Sequence, residues 1–165
     1  MSDIAQTEET SPRYRRRLTT TIKESLRELS IQLSLLNHHV SAHLNLNHID
    51  LDCLDLIHRH GPLSPSALAR RAGLHPATIT GILDRLQRGG WITRDRDPNA
   101  ADRRAVTVRA LPDRGQELYG LYSGMNASMD TLFADYTDAQ LRLIADFLRR
   151  TAEAGQHATN ELASD

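Results

Sequence analysis

The sequence predicts a mainly α-helical chain with one small antiparallel β hairpin, and three observations lead there. Apolar residues recur at three- and four-residue intervals over most of the 165 residues. One stretch, residues 91–109, instead alternates apolar with polar residues or gathers β-branched ones, as strands do. Proline, glycine, serine and asparagine punctuation cuts the helical pattern into separate pieces.

The first piece is a long amphipathic helix from about Arg13 to Leu44, with Leu18, Ile22, Leu26, Leu29, Leu33, Leu36 and Val40 on one stripe. Asn47 is the expected N-cap of a second helix that runs to His60 and stops at Gly61-Pro62. Ser64-Pro65 then supplies a capping side chain and a proline at the first helical position, opening the short helix "PSALARRA" that ends at Gly73. His75 caps the next helix, "PATITGILDRLQR", which buries Ile79, Ile82, Leu83 and Leu86 and closes at Gly89-Gly90. Trp91 to Arg96 and Ala105 to Arg109 read as the two strands of the hairpin, joined by a turn at Pro98-Asn99. Beyond it, Asp113 with Gln116 suggests a capping box for one helix carrying Leu118, Leu121, Tyr122, Met125, Met129, Leu132, Phe133 and Tyr136. Thr137 with Gln140 suggests another, for a last helix containing Leu141, Ile144, Phe147 and Leu148.

At 39% hydrophobic and 25% charged, the composition is that of a soluble protein, and no apolar run approaches the ~18 residues of a membrane span. No membrane partner is expected. The N-terminal stretch "MSDIAQTEETSPRYRRR" lacks the apolar core of a signal peptide, so the expected compartment is the cytoplasm; residues 1–12 read as a disordered polar tail. A single cysteine, Cys53, excludes an internal disulfide and any zinc site that needs several thiolates. It stands among Leu51, Leu54, Leu56 and Ile57, where a buried, inert thiol is expected. No glycine-rich phosphate loop, Gly-x-Ser-x-Gly elbow or HExxH is present, so neither an enzyme nor a cofactor is expected.

The formal net charge of −1 hides an uneven distribution. Residues 59–109 hold ten arginines against four acids, whereas the two flanks are net negative. Such a cationic island is the electrostatic signature of a polyphosphate binder. Two short helices joined at Gly73 and followed by a hairpin form a winged helix-turn-helix, whose second helix enters a major groove. With the apolar face of that helix buried, Ala77, Thr78, Thr80, Gly81, Arg85 and Arg88 are the expected DNA-facing residues. The hairpin becomes the wing, with Arg103 and Arg104 beside the adjacent minor groove or its phosphates and Asp102 orienting an arginine.

The segment "LSPSALARRAGLHPATITGILDRLQRGGWITRDRDPNAADRRAVTVRAL" resembles the DNA-binding core of MarR-type transcriptional regulators. Its most specific element is "DRR" at 102–104, which matches that family's wing motif; it follows the "DRL" and glycine of the recognition helix at Asp84, Arg85, Leu86 and Gly89. The resemblance implies a homodimer on double-stranded DNA, reading a palindromic operator and released by a small aromatic or amphipathic effector. The implied organisation is a dimerisation helix at 13–45, a winged lobe at 46–112 and C-terminal dimerisation helices at 113–165. In such regulators the effector crevice lies between the dimer helices and the lobe, which here nominates His38, His39, Asp55, His58 and Tyr119. Gly81 departs from the pattern, since an arginine is frequent at that position.

The residues also favour a dimer independently, because the terminal helices carry more periodic apolar surface than the winged lobe can cover. Two alternatives stay open at this point. One is a metal-responsive regulator using the His/Asp-rich region 38–60, with His39 and His43 at i, i+4 as ligands. The other is a winged-helix module that binds proteins rather than DNA.

Overall fold

The structure is a computed structural model and describes residues 11–96 and 106–162, the side chain of Arg96 excepted. Its elements are α1 (Pro12–His43), α2 (His48–His60), α3 (Pro65–Ala72), α4 (Pro76–Arg88), β1 (Ile92–Arg96), β2 (Val106–Ala110), α5 (Pro112–Leu121), α6 (Ser123–Phe133) and α7 (Asp138–Leu162). The mainly α, single-hairpin class expected from the sequence is what is observed. The chain divides into two units, residues 1–43 and 44–165.

In the first unit, α1 is a 32-residue helix whose apolar stripe is largely uncovered: Leu18, Ile22, Leu29 and Leu33 are all exposed. Ile31 and Leu35, on the opposite side of the helix, are exposed as well.

The second unit is built around the packing of α2, α3 and α4 on the hairpin. Local chemistry sets the helix ends. Asn47 accepts a hydrogen bond from Asp50 N–H at 2.8 Å and Ser64 accepts one from Ala67 N–H at 3.2 Å, each satisfying an otherwise orphaned donor. His75 caps α4 through Nδ1, which accepts from Ala77 N–H at 3.2 Å. Gly73 ends α3 in the left-handed region (φ 64°), and Leu74 N–H bonds back to Ala69 C=O at 3.0 Å. This turn aims α4 across α3.

Leu51, Leu54, Ile57, Leu68, Ile79, Ile82, Leu83 and Leu86 form the lobe's core together with Trp91, Ile92 and Val108. Burying each such side chain contributes roughly 1.5–3 kcal/mol relative to leaving it in water. The hairpin pairs Ile92 with Ala110 through Arg96 with Val106. Leu63, in the loop after α2, exchanges two backbone hydrogen bonds with Val108, which ties the entrance of the helix-turn-helix to the wing's inner strand.

Two sequence expectations fail downstream of the hairpin. Asp113 and Gln116 form no capping box, because Pro112 occupies the first helical turn and moves the N-cap to Leu111, whose side chain cannot accept a hydrogen bond. The single helix expected over 113–136 is broken at Tyr122 into α5 and α6. Gly120, Ser123 and Gly124 cluster at the break, where Ser123 Oγ donates to Gly120 C=O at 2.7 Å and Tyr122 N–H tightens onto Tyr119 C=O. The box at Thr137 and Gln140 does form, with Thr137 N–H donating to Gln140 Oε1 at 2.8 Å. In α7, Leu143, Phe147, Leu148 and Leu162 are exposed. None of the described helices is long and apolar enough to cross a membrane.

Candidate nucleic-acid interface

With Ile79, Ile82, Leu83 and Leu86 turned into the core, α4 shows solvent its other face. Ala77, Thr78, Thr80, Arg85 and Arg88 are exposed there and Gly81 is partly so. The threonine hydroxyl of Thr80 donates back to Pro76 C=O at 3.3 Å, which leaves its lone pairs outward. Arg88 Nε donates to Asp84 C=O at 3.2 Å along the helix surface.

Arg85 is held differently from a free phosphate-seeking cation. Its Nε and Nη2 donate at 2.8 and 2.7 Å to the two carboxylate oxygens of Asp50, which is only 2% exposed. This pair also straps α4 to the first turn of α2. The same pattern recurs along the basic island. Arg59 pairs with Asp55, Arg94 with Asp84 and Arg109 with Asp95. Four of the island's ten arginines are therefore paired within the fold, two of them with acids from outside the island. Arg70, Arg71 and Arg88 make no ion pair among the described residues. Arg70 and Arg71, exposed at the end of α3, were not singled out from the sequence; their signal was an unpaired double arginine beside the turn into the recognition helix. Asp102, Arg103 and Arg104 lie outside the described residues.

The base of the wing is fastened to the C-terminal segment by Arg114. Its guanidinium lies 3.6 Å from the centroid of the buried Trp91 ring, and Nη1 donates to Gly89 C=O at 2.6 Å. The start of α5 is thereby tied to the end of α4.

The nominated effector residues fall in both units. On α1, the rings of His38 and His39 meet edge to face at 5.8 Å. In the second unit, His58 of α2 meets Tyr119 of α5 edge to face, also at 5.8 Å, and Gly115 lets α5 lie close enough that a Cβ there would stand 3.2 Å from His58 Cε1. His58 Nε2 is buried without a hydrogen-bond partner among the described residues. Burial pushes the His58 pKa below the ordinary histidine value, with Asp55 opposing. Tyr122, absent from the sequence nomination, belongs to the same neighbourhood: burial raises its pKa, as do the charges of Asp55 and Asp52. Asp55 itself is engaged by Arg59 at 2.8 Å.

For the metal alternative, His43 Nδ1 lies 2.9 Å from His39 C=O, so that ring nitrogen bonds to its own helix. Among the described residues no group of three or more histidine, cysteine or acidic side chains is arranged to hold a metal ion. Cys53 is fully buried and its pKa is pushed up to about 12, chiefly by burial and then by the charges of Asp52 and Asp50.

Comparison with known proteins converges on this geometry. Residues 46–106 match the family model described as the MarR family. Over 84% of the chain and 89% of its own length, the HTH-type transcriptional regulator YcgE of Bacillus subtilis (strain 168) is 29% identical. The HTH-type transcriptional repressor YetL of the same organism is 30% identical over 53% of the chain and 54% of its own length. The crystal structure of MarR is similar at a TM-score of 0.53 and 29% identity, covering 81% of this chain and 96% of that one. A crystal structure of a MepR mutant from a multidrug-resistant S. aureus clinical isolate shares the fold at a TM-score of 0.69 and 15% identity, over 81% and 96% of the two chains. MarR-family proteins are transcriptional regulators rather than enzymes, and they bind DNA. The lobe's helix-turn-helix and hairpin and these matches together make residues 46–106 similar to the winged-helix core of MarR-family transcriptional regulators.

Proposed function

We propose that the protein is a cytoplasmic repressor that binds a palindromic operator as a homodimer and leaves it when a small aromatic or amphipathic effector binds. The observation that carries this reading is the outer face of α4. Ala77, Thr78, Thr80 and Gly81 are small or hydroxyl-bearing residues open to solvent, as close approach to base edges requires, and Arg88 with Arg70 and Arg71 supplies uncompensated charge for phosphates. Arg103 and Arg104, with Asp102, which lie outside the described residues, are proposed to extend the contact to the neighbouring groove.

A single recognition helix reads too few bases to select a site in a genome, and two-fold pairing doubles the site. The uncovered apolar residues of α1 and α7 support that pairing, since exposed faces of this kind mark interfaces. Repression is favoured by the name of the relative YetL. For the effector, the supporting observation is His58 against Tyr119, an aromatic edge with one unsatisfied ring nitrogen. An effector releases DNA only if it binds the DNA-incompetent dimer better, and DNA then weakens effector binding by the same factor.

The test is a selection of bound duplexes from a random pool, followed by footprinting. The expected result is a two-fold symmetric site with half-sites one helical turn, or a multiple, apart. Affinity should fall steeply between about 50 and 200 mM salt, as for charge-driven binding. Enrichment of no sequence, or binding indifferent to salt, would favour the protein-interaction module instead.

A further inference from the structure

Asp50 sits at the third residue of α2, and a carboxylate that is 2% exposed is costly unless it is paired. Its partner, Arg85, is thirty-five residues further along the chain. The pairing is side-on: Nε and one Nη2 hydrogen are used, which are two of the guanidinium's five. Both Nη1 hydrogens and the second Nη2 hydrogen remain, one from each nitrogen lying parallel at the end of the group, and the Arg85 side chain is 46% exposed. One turn earlier stands Gly81, where a Cβ would be 3.6 Å from Nη1. The glycine keeps that end uncovered.

Ala77, Gly81 and Arg85 follow one another at i, i+4 on the outer face of α4. A strap between helices has no need of a half-exposed arginine, whereas a contact to a ligand does. The pair is electrically neutral, so a phosphate passing at several ångströms is attracted to Arg85 and repelled by Asp50 almost equally. Within hydrogen-bond reach, however, two parallel N–H groups in fixed positions match two phosphate oxygens.

We propose that Asp50 is a positioning residue for DNA recognition: it holds Arg85 as a charge-neutralised donor fork, beside Gly81, for one operator phosphate. The proposal rests on α4 being the recognition helix. Neutralising the charge removes a reward for indiscriminate binding, and fixing the fork rewards the one register in which a phosphate meets it.

The experiment compares the full-length protein with Asp50→Asn, the double variant Asp50→Asn/Arg85→Gln, and Gly81→Gln, on a duplex selected by the parent protein and on a scrambled duplex of equal length, across a salt series. Asp50→Asn is expected to tighten binding to scrambled DNA and to steepen its salt slope by roughly 0.9 per subunit. Its preference for the selected duplex should fall about tenfold, the scale of a lost charge-assisted contact. The double variant Asp50→Asn/Arg85→Gln, which removes both charges together, should weaken the selected duplex while leaving the scrambled-DNA salt slope at the parent's value. Gly81→Gln covers the fork while leaving both members of the pair in place, so it remains informative if Asp50→Asn does not fold; preference should fall with thermal stability retained. The proposal is overturned if Asp50→Asn weakens both duplexes equally at constant slope, if the double variant flattens the slope below the parent's, or if Gly81→Gln keeps full preference. A parent protein that selects no duplex sinks the recognition-helix reading itself, a result distinct from a selective parent whose variants keep its preference.

Discussion

Replacing Gly73 with alanine tests the turn that delivers the recognition helix. Gly73 holds φ 64° and ψ 34°, a region where a residue with a Cβ pays roughly 1–2 kcal/mol. The new methyl would also stand 2.7 Å from Thr159 Cγ2, so that side chain must move aside. For a chain of this size, ~1–2 kcal/mol lowers the melting temperature by roughly 2–8 °C. Urea unfolding at fixed protein concentration measures the cost, since the stability of the proposed dimer would depend on concentration. Thr159→Ala removes the crowding methyl, so the double variant should recover the steric part and keep the backbone part. Operator affinity should fall with Gly73→Ala by more than affinity for scrambled DNA, since the angle of α4 shifts. A Gly73→Ala protein as stable as its parent, with unaltered operator preference, would refute the assignment of this turn as a required left-handed corner.

Three further outcomes are expected. Arg114→Met loses the stacking on Trp91 and the bond to Gly89 C=O; about 1 kcal/mol of stability should go, and unchanged urea unfolding would show that this tie is idle. Cys53, its thiol pushed up to about 12, should resist alkylation in the native protein at pH 8 and react in urea. Because the unfolded thiol ionises first, its contribution to stability is present below about pH 9 and is lost as pH rises toward 12, and rapid native labelling would contradict the burial. His58, its pKa lowered by burial, is more readily protonated in the unfolded chain; its contribution is present above the ordinary histidine value and is lost as pH falls through the lowered one. His58→Phe should therefore flatten the dependence of the urea midpoint between pH 7.5 and 5.5, and an unflattened dependence would place the titration elsewhere.

Local signals were legible in the sequence wherever one side chain does the work. Asn47, Ser64-Pro65, Gly73 and His75 mark helix ends by chemistry that reaches two or three residues, and each performs as its type suggests. The break at Tyr122 was hidden because apolar periodicity continues across it while Gly120, Ser123 and Gly124 quietly weaken the backbone there. Asp113 was misleading because Pro112 claims the first turn ahead of it. On the interface, the buried face of α4 followed from spacing alone, but the partners of its arginines did not. Asp50 and Arg85 meet only after α2 and α4 have packed, and nothing at either position announces the other. A count of charges along the chain thus overstated the free charge of the basic island. Among the described residues, the uncompensated cations Arg70, Arg71 and Arg88 become visible only once the acids are placed.

The central claim is that two copies of the winged lobe engage one duplex together. Sedimentation of the protein with a duplex bearing the selected site, read alongside a hydroxyl-radical footprint, tests it most directly. Two chains per duplex, with two protected patches on one face of the DNA related by two-fold symmetry, is the predicted result. One chain per duplex, or protection with no symmetry, would contradict it.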